Sequence, residues 1–99
     1  MLRHIVTWNY KEGVAEGENK ENALKVKFDL EALKHYIDEI IDIKVHINNL
    51  SSSTKDIMLD SLFENEETLA AYKVHPEHIK VSNFIGCVLQ DRASFDYYE

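Results

Sequence analysis

Apolar and polar positions change their period several times along the chain, and the changes divide it into elements. From Leu2 to Tyr10 the rhythm is two. Leu2, His4, Val6, Trp8 and Tyr10 fall on one side, and Arg3, Ile5, Thr7 and Asn9 on the other. Alternation in a segment rich in Val, Ile, Trp and Tyr predicts a strand, and apolar residues on both sides predict that both faces are covered. Residues 11–20 hold Gly13, Gly17 and several charges, and read as a loop leading into a helix. From Asn19 to Ile37 the period lengthens. Ala23, Val26, Leu30, Leu33 and Ile37 recur every three or four positions, which makes one helical face, and Leu24 and Phe28 widen that stripe.

Alternation then returns. Ile43, Val45 and Ile47 oppose Lys44, His46 and Asn48; Ile57, Leu59, Ser61 and Phe63 oppose Met58, Asp60 and Leu62. The polar, serine-rich connection at 49–54 is short, so the two strands form an antiparallel hairpin. Asn65 is placed to cap a helix, and Glu66 and Glu67 suit the positive end of its dipole. That helix carries Leu69, Ala70 and Tyr72 until Pro76 interrupts it. His75 then falls at an N-cap and Pro76 at the first position of a new helical segment with Ile79, Val81, Phe84, Ile85 and Val88. Residues 92–98 close with a fourth strand.

The order β-α-β-β-α-β predicts a single α+β domain over residues 1–99, ferredoxin-like, with one four-stranded antiparallel sheet. Helices on one face leave the other face bare. The same face of a second copy covers it most simply, which predicts an isologous homodimer joined through its sheet faces. Ile5 and Thr7 are the residues expected there.

Charge and cysteine usage narrow the function. The formal charge is −7 and no Lys/Arg run interrupts it, so neither nucleic acid nor an anionic membrane surface is an expected partner. No apolar stretch approaches the length of a membrane span, and the first residues do not read as a signal peptide. A cytoplasmic protein is the expectation. Cys87 is the only cysteine, which rules out an internal disulfide, and its apolar setting between Phe84 and Leu89 predicts a buried, inert thiol. Gly13 and Gly17 lack the spacing of a phosphate-binding loop.

Two side chains carry candidate chemistry. A histidine takes up a proton near neutral pH, which makes His78 a candidate base. A phenol donates to a developing enolate or orients a carbonyl, which makes Tyr72 a candidate donor. The competing assignment is structural: His75 and His78 brace the start of a helix, and Tyr72 anchors through its hydroxyl. His75 and His78 also stand three apart, but two ligands do not make a closed zinc site, and no metal is expected. Trp8, Tyr10, Phe28, Phe84 and Phe95 read as core or dimer-face residues.

Four segments bear a wider resemblance. They are Met-Leu-Arg-His-Ile-Val at 1–6, Phe-Glu-Asn-Glu-Glu at 63–67, Tyr-Lys-Val-His-Pro-Glu-His at 72–78, and Asp91-Arg92 leading to Asp96-Tyr97. Together they span nearly the whole chain and resemble the stress-responsive α/β-barrel (Dabb) family, the Tyr-x-x-His-Pro-x-His piece being the most specific. The resemblance implies a dimeric α/β barrel with residues 92–98 at the dimer contact. The family includes stress-induced plant proteins and polyketide cyclases of the olivetolic acid cyclase type, which promote an intramolecular aldol condensation without metal or organic cofactor. By that resemblance Tyr72 and His78 match an acid/base pair, and His4, Val6 and Trp8 match pocket positions on the first strand.

Three functions are therefore expected to compete. One is a binding protein, without cofactor, that holds a small apolar or aromatic ligand in a helix–sheet pocket near His4, Val6, Trp8 and His75. Another is a cofactor-free cyclase or isomerase with His78 as base and Tyr72 as proton donor. The last is a structural stress protein without a ligand.

Overall fold

The computed structural model describes all residues from Met1 to Glu99. Strand β1 (Leu2–Tyr10) leads to helix α1 (Glu16–Ala32), which ends in a short 3₁₀ turn at Leu33–His35. Strands β2 (Asp42–Ile47) and β3 (Ile57–Phe63) follow as a hairpin. Helices α2 (Glu66–Val74) and α3 (Pro76–Val88) run into strand β4 (Leu89–Tyr98). The sheet order is β2-β3-β1-β4 with every neighbouring pair antiparallel, which is the ferredoxin-like arrangement expected from the element order. No helix is long and apolar enough to cross a membrane.

The pleat of β1 decides what lies where. Leu2, His4, Val6 and Trp8 are buried beneath the helices. Their partners on β3, namely Phe63, Ser61, Leu59 and Ile57, are buried with them, because directly paired residues share a face. Helix α1 supplies Ala23, Val26 and Leu30 to the same core, and the turn beyond it supplies Leu33 and Ile37. Arg3, Ile5 and Thr7 point to the other face, where no helix packs. There Ile5 pairs with Phe95 and Arg3 with Tyr97.

Four sequence expectations need correction. Helix α1 starts at Glu16, so Gly17 lies in its first turn rather than in a loop; only Gly13 needs a left-handed backbone, at φ 79°. Leu24 and Phe28 do not widen the buried stripe. Phe28 stands two residues from both Val26 and Leu30, about 200° round the helix from each, and is 73% exposed. The same geometry defeats the expectation for Cys87. It lies two residues beyond the buried Ile85, on the outer side of α3, and its thiol is exposed. Finally, β4 begins at Leu89, not at residue 92, because a bulge lets Leu89 turn inward into the core.

One free sheet edge is closed by side chains. Strand β2 lies at the border, and the outward backbone of Val45 would be unpaired. Glu31 Oε2 accepts from the Val45 N–H at 2.9 Å, and Lys27 Nζ donates to the Val45 carbonyl at 2.7 Å. Lys27 and Glu31 also pair with each other at 2.7 Å, so one ion pair from α1 blunts the edge against pairing with another strand.

Candidate functional site

The break at Pro76 builds the site. Proline disfavours the helical region for the residue before it, and His75 accordingly adopts φ −65°, ψ 134°. On one continuous helix, Tyr72 and His78 would stand on different sides and more than a turn apart. The break lets α3 set off in a new direction, and the two rings meet at 4.4 Å between centroids. His75 takes the N-cap: its Nδ1 accepts from the Glu77 N–H at 3.1 Å. It does not line the cavity described next, so its expected place in the pocket is corrected. Its imidazole is engaged instead with the backbone of the helix it caps.

A cavity of about 250 Å³ lies between the sheet and the helices. His4, Val6 and Trp8 of β1, Tyr72 of α2, His78 of α3 and Arg92 of β4 all line it, with Leu30, Leu59, Ile85 and Leu89 among the apolar walls. Five of the six side chains singled out in the sequence thus come together here. Trp8 forms a wall rather than a plug, and Phe28 is outside altogether.

The polar groups are arranged with one nitrogen of each imidazole committed. His4 Nδ1 stands 2.5 Å from Asp96 Oδ1, so the ring donates that proton to the carboxylate and Nε2 is its free nitrogen. His4 is deeply buried, and burial pulls its pKa below the ordinary value even though Asp96 works in the opposite direction. His78 Nδ1 donates to the carbonyl of Lys73 at 3.0 Å. That carbonyl is one of those left unpaired at the end of α2, so the bond braces the helix junction and also selects the tautomer. Burial lowers the pKa of His78 as well, assisted by the charges of His4 and Arg92 and offset by the backbone bond. At neutral pH both rings are neutral, each with a basic Nε2.

Tyr72 is the unusual member. It is 1% exposed, yet its hydroxyl has no hydrogen-bond partner. Buried polar groups are normally paired, and leaving one unpaired costs about 1–3 kcal/mol. Burial holds the phenol far above its ordinary pKa, so it stays protonated and is a donor awaiting an acceptor. Phe63 supports the ring from behind at 4.9 Å.

Asp96 and Arg92 were not assigned site roles from residue patterns. Asp96 is 92 residues from His4, and only the β1–β4 register makes them neighbours. The signal available was the alternation of β4, which groups Arg92, Ser94 and Asp96 on one side. No cluster of three or more His, Cys, Asp or Glu side chains is placed to hold a metal ion.

A sheet with helices on one face, a bare second face and a half-polar cavity beneath the helices defines a ferredoxin-like domain of the α/β-barrel type. The chain belongs to the Stress responsive A/B Barrel Domain family, whose model matches residues 2–99. No curated protein matches its sequence. Among solved structures, a dimeric protein of unknown function with a ferredoxin-like fold from Bacteroides fragilis is 30% identical, with 99% of this chain and 95% of that chain covered and a TM-score of 0.94. A dimeric ferredoxin-like protein of unknown function from Thermobifida fusca is 21% identical, covering 99% and 90% of the two chains at a TM-score of 0.83. The hydroxynitrile lyase of Passiflora edulis shares the fold at 14% identity, 97% and 90% coverage and a TM-score of 0.79.

The lowered histidine pKa values carry a consequence for stability. Between the folded values and the ordinary value near 6.5, the unfolded chain binds more protons than the folded one, so stability falls as pH falls through that window. Urea midpoints should drop between pH 7.5 and pH 5.5, and the drop should be shallower in His78→Asn. Equal slopes in the two proteins would show that His78 is not buried in its neutral form.

Proposed function

We propose that this protein is a homodimeric binding protein whose cavity holds a small, mostly apolar or aromatic ligand bearing an oxygen acceptor. The unpaired, fully buried hydroxyl of Tyr72 is the observation that carries this reading. A ligand carbonyl or hydroxyl that accepts from it removes a standing desolvation cost, while Trp8, Val6, Leu59 and Ile85 contact the apolar body. The space of about 250 Å³ exceeds the roughly 150 Å³ that accommodates benzene in an apolar cavity. No cofactor is needed for such binding.

The dimer follows from the bare face. Phe95 is 67% and Tyr97 41% exposed in the single chain, beside Ile5, Thr7, Met58 and Leu62. These apolar side chains surround the Arg3–Asp60 ion pair on the bare face, and exposed apolar groups clustered in this way mark an interaction surface. Both the Bacteroides fragilis and Thermobifida fusca proteins are described as dimeric. A second copy laid on this face makes the α/β barrel and leaves the cavity, on the opposite side of the sheet, accessible.

A second reading rests on a separate observation, the two neutral imidazoles with free Nε2 atoms flanking a protonated phenol. Such a set supports cofactor-free proton transfer next to a carbonyl, as in an isomerase or a polyketide cyclase. His78 takes the proton and Tyr72 donates to the developing oxyanion.

The binding reading is checked by heteronuclear NMR, following the Trp8 indole during titration with small aromatic ketones and alcohols. Tyr72→Phe should weaken binding by about five- to tenfold. It should lose no thermal stability, since it deletes an unpaired group. Unchanged affinity would remove Tyr72 from the site. The interface is tested by sedimentation: Phe95→Glu should turn a dimer into a folded monomer, and a monomeric wild type would dispose of the dimer. For the catalytic reading, deuterium exchange next to the carbonyl of a bound ketone should slow at least about a hundredfold in His78→Ala. An unaltered rate would eliminate His78 as base.

A further inference from the structure

One basic side chain at the cavity, Arg92, has no part in the ligand contacts proposed so far. The β1–β4 register slips between Thr7, which pairs with Ala93, and Asn9, which pairs with Gln90. Trp8 alone on β1 therefore faces both Asp91 and Arg92, which is a β-bulge. Asp91 is the only residue other than glycine with a positive φ, at 56°. Bulges of this kind re-aim side chains and cluster beside functional sites, and such a backbone persists only where its surroundings hold it. Here Lys55 Nζ donates to the Asp91 carbonyl at 2.8 Å, and Asn9 Nδ2 stands 3.5 Å from the Asp91 carboxylate.

Arg92, the second bulge residue, lines the cavity beside Trp8. It forms no ion pair with a carboxylate of its own chain, so its guanidinium is free to meet a ligand. Its charge is felt by the other polar groups of the cavity: it adds to the lowering of the His4 and His78 pKa values and opposes, without overcoming, the rise that burial imposes on Tyr72.

We propose that Arg92 is an anion subsite at the cavity mouth and that the ligand class is small apolar carboxylic acids, bound as carboxylates. The apolar body lies against Trp8, Val6 and Ile85, and the carboxylate takes hydrogen bonds from the guanidinium, whose fork matches its two oxygens. A further oxygen on the ligand accepts from Tyr72. Burial, working against the hydrogen bonds at Nδ1, keeps both imidazoles neutral, and Arg92 is the one Lys or Arg side chain among the residues that line the cavity. The Asp91 carboxylate, also at the mouth, is directed towards Asn9.

This inference rests on the ligand-binding reading, and matched pairs of probes separate the two. Benzoate with benzamide, and cinnamate with cinnamamide, are titrated into the intact protein at pH 7.5 by NMR. Each acid is expected to bind about two- to fivefold more tightly than its amide, a preference of the size measured for exposed ion pairs. The preference should shrink with added salt, disappear in Arg92→Gln and be partly restored in Arg92→Lys. Amides that bind as well as acids would overturn the anion subsite while leaving the cavity a binding site. Absence of binding by all four probes would overturn both.

Discussion

Strand β1 is hydrogen-bonded along both edges, and the remaining structure depends on the alternation this imposes. Because β3 and β4 hold it from either side, its even-numbered residues cannot leave the helix side nor its odd-numbered residues the bare side. A slip of one residue would bury Arg3 and expose Trp8. The same register sets His4 opposite Ser61 on one flank and Asp96 on the other. Ser61 Oγ donates to the His4 carbonyl at 2.9 Å, so backbone and side chain of this residue are both anchored. The position of a basic nitrogen in the cavity is thus a product of strand pairing.

The helix side shows how stability and function divide. Most of that side is packed apolar core, from Leu33 and Ile37 to Phe63. At one end the packing stops short, and the gap is bordered by a phenol without a partner and two imidazoles whose remaining nitrogens are free. A core shaped by stability alone would fill this space with aliphatic groups. Polar groups kept there at a cost are the feature on which the proposed ligand site rests. His78 fills the structural role weighed in the sequence. Its bond to Lys73 O braces the α2–α3 junction and in the same act frees Nε2.

Much of this was legible in the chain. Periods of two and three to four located the strands and the first helix, and the one proline located the junction that brings Tyr72 to His78. The buried side of α1 was readable at Ala23, Val26 and Leu30, but its width was not. Phe28 and Cys87 are apolar by type and exposed in fact, because a helix two residues on has turned to its opposite side. His75 and His78 look equivalent in the motif; the capping bond to Glu77 separates them.

The sequence by itself determined the order of elements, the division of β1 into two sides and the break before Pro76. Each follows from backbone geometry acting over a few consecutive residues. Only the tertiary structure decided that Asp96 holds His4, that a bulge sets Arg92 beside Trp8, and that the space among them stays open. Those outcomes depend on strand register and on where two helices come to rest against a sheet. Both are collective properties of residues as many as 92 positions apart, which no local pattern encodes.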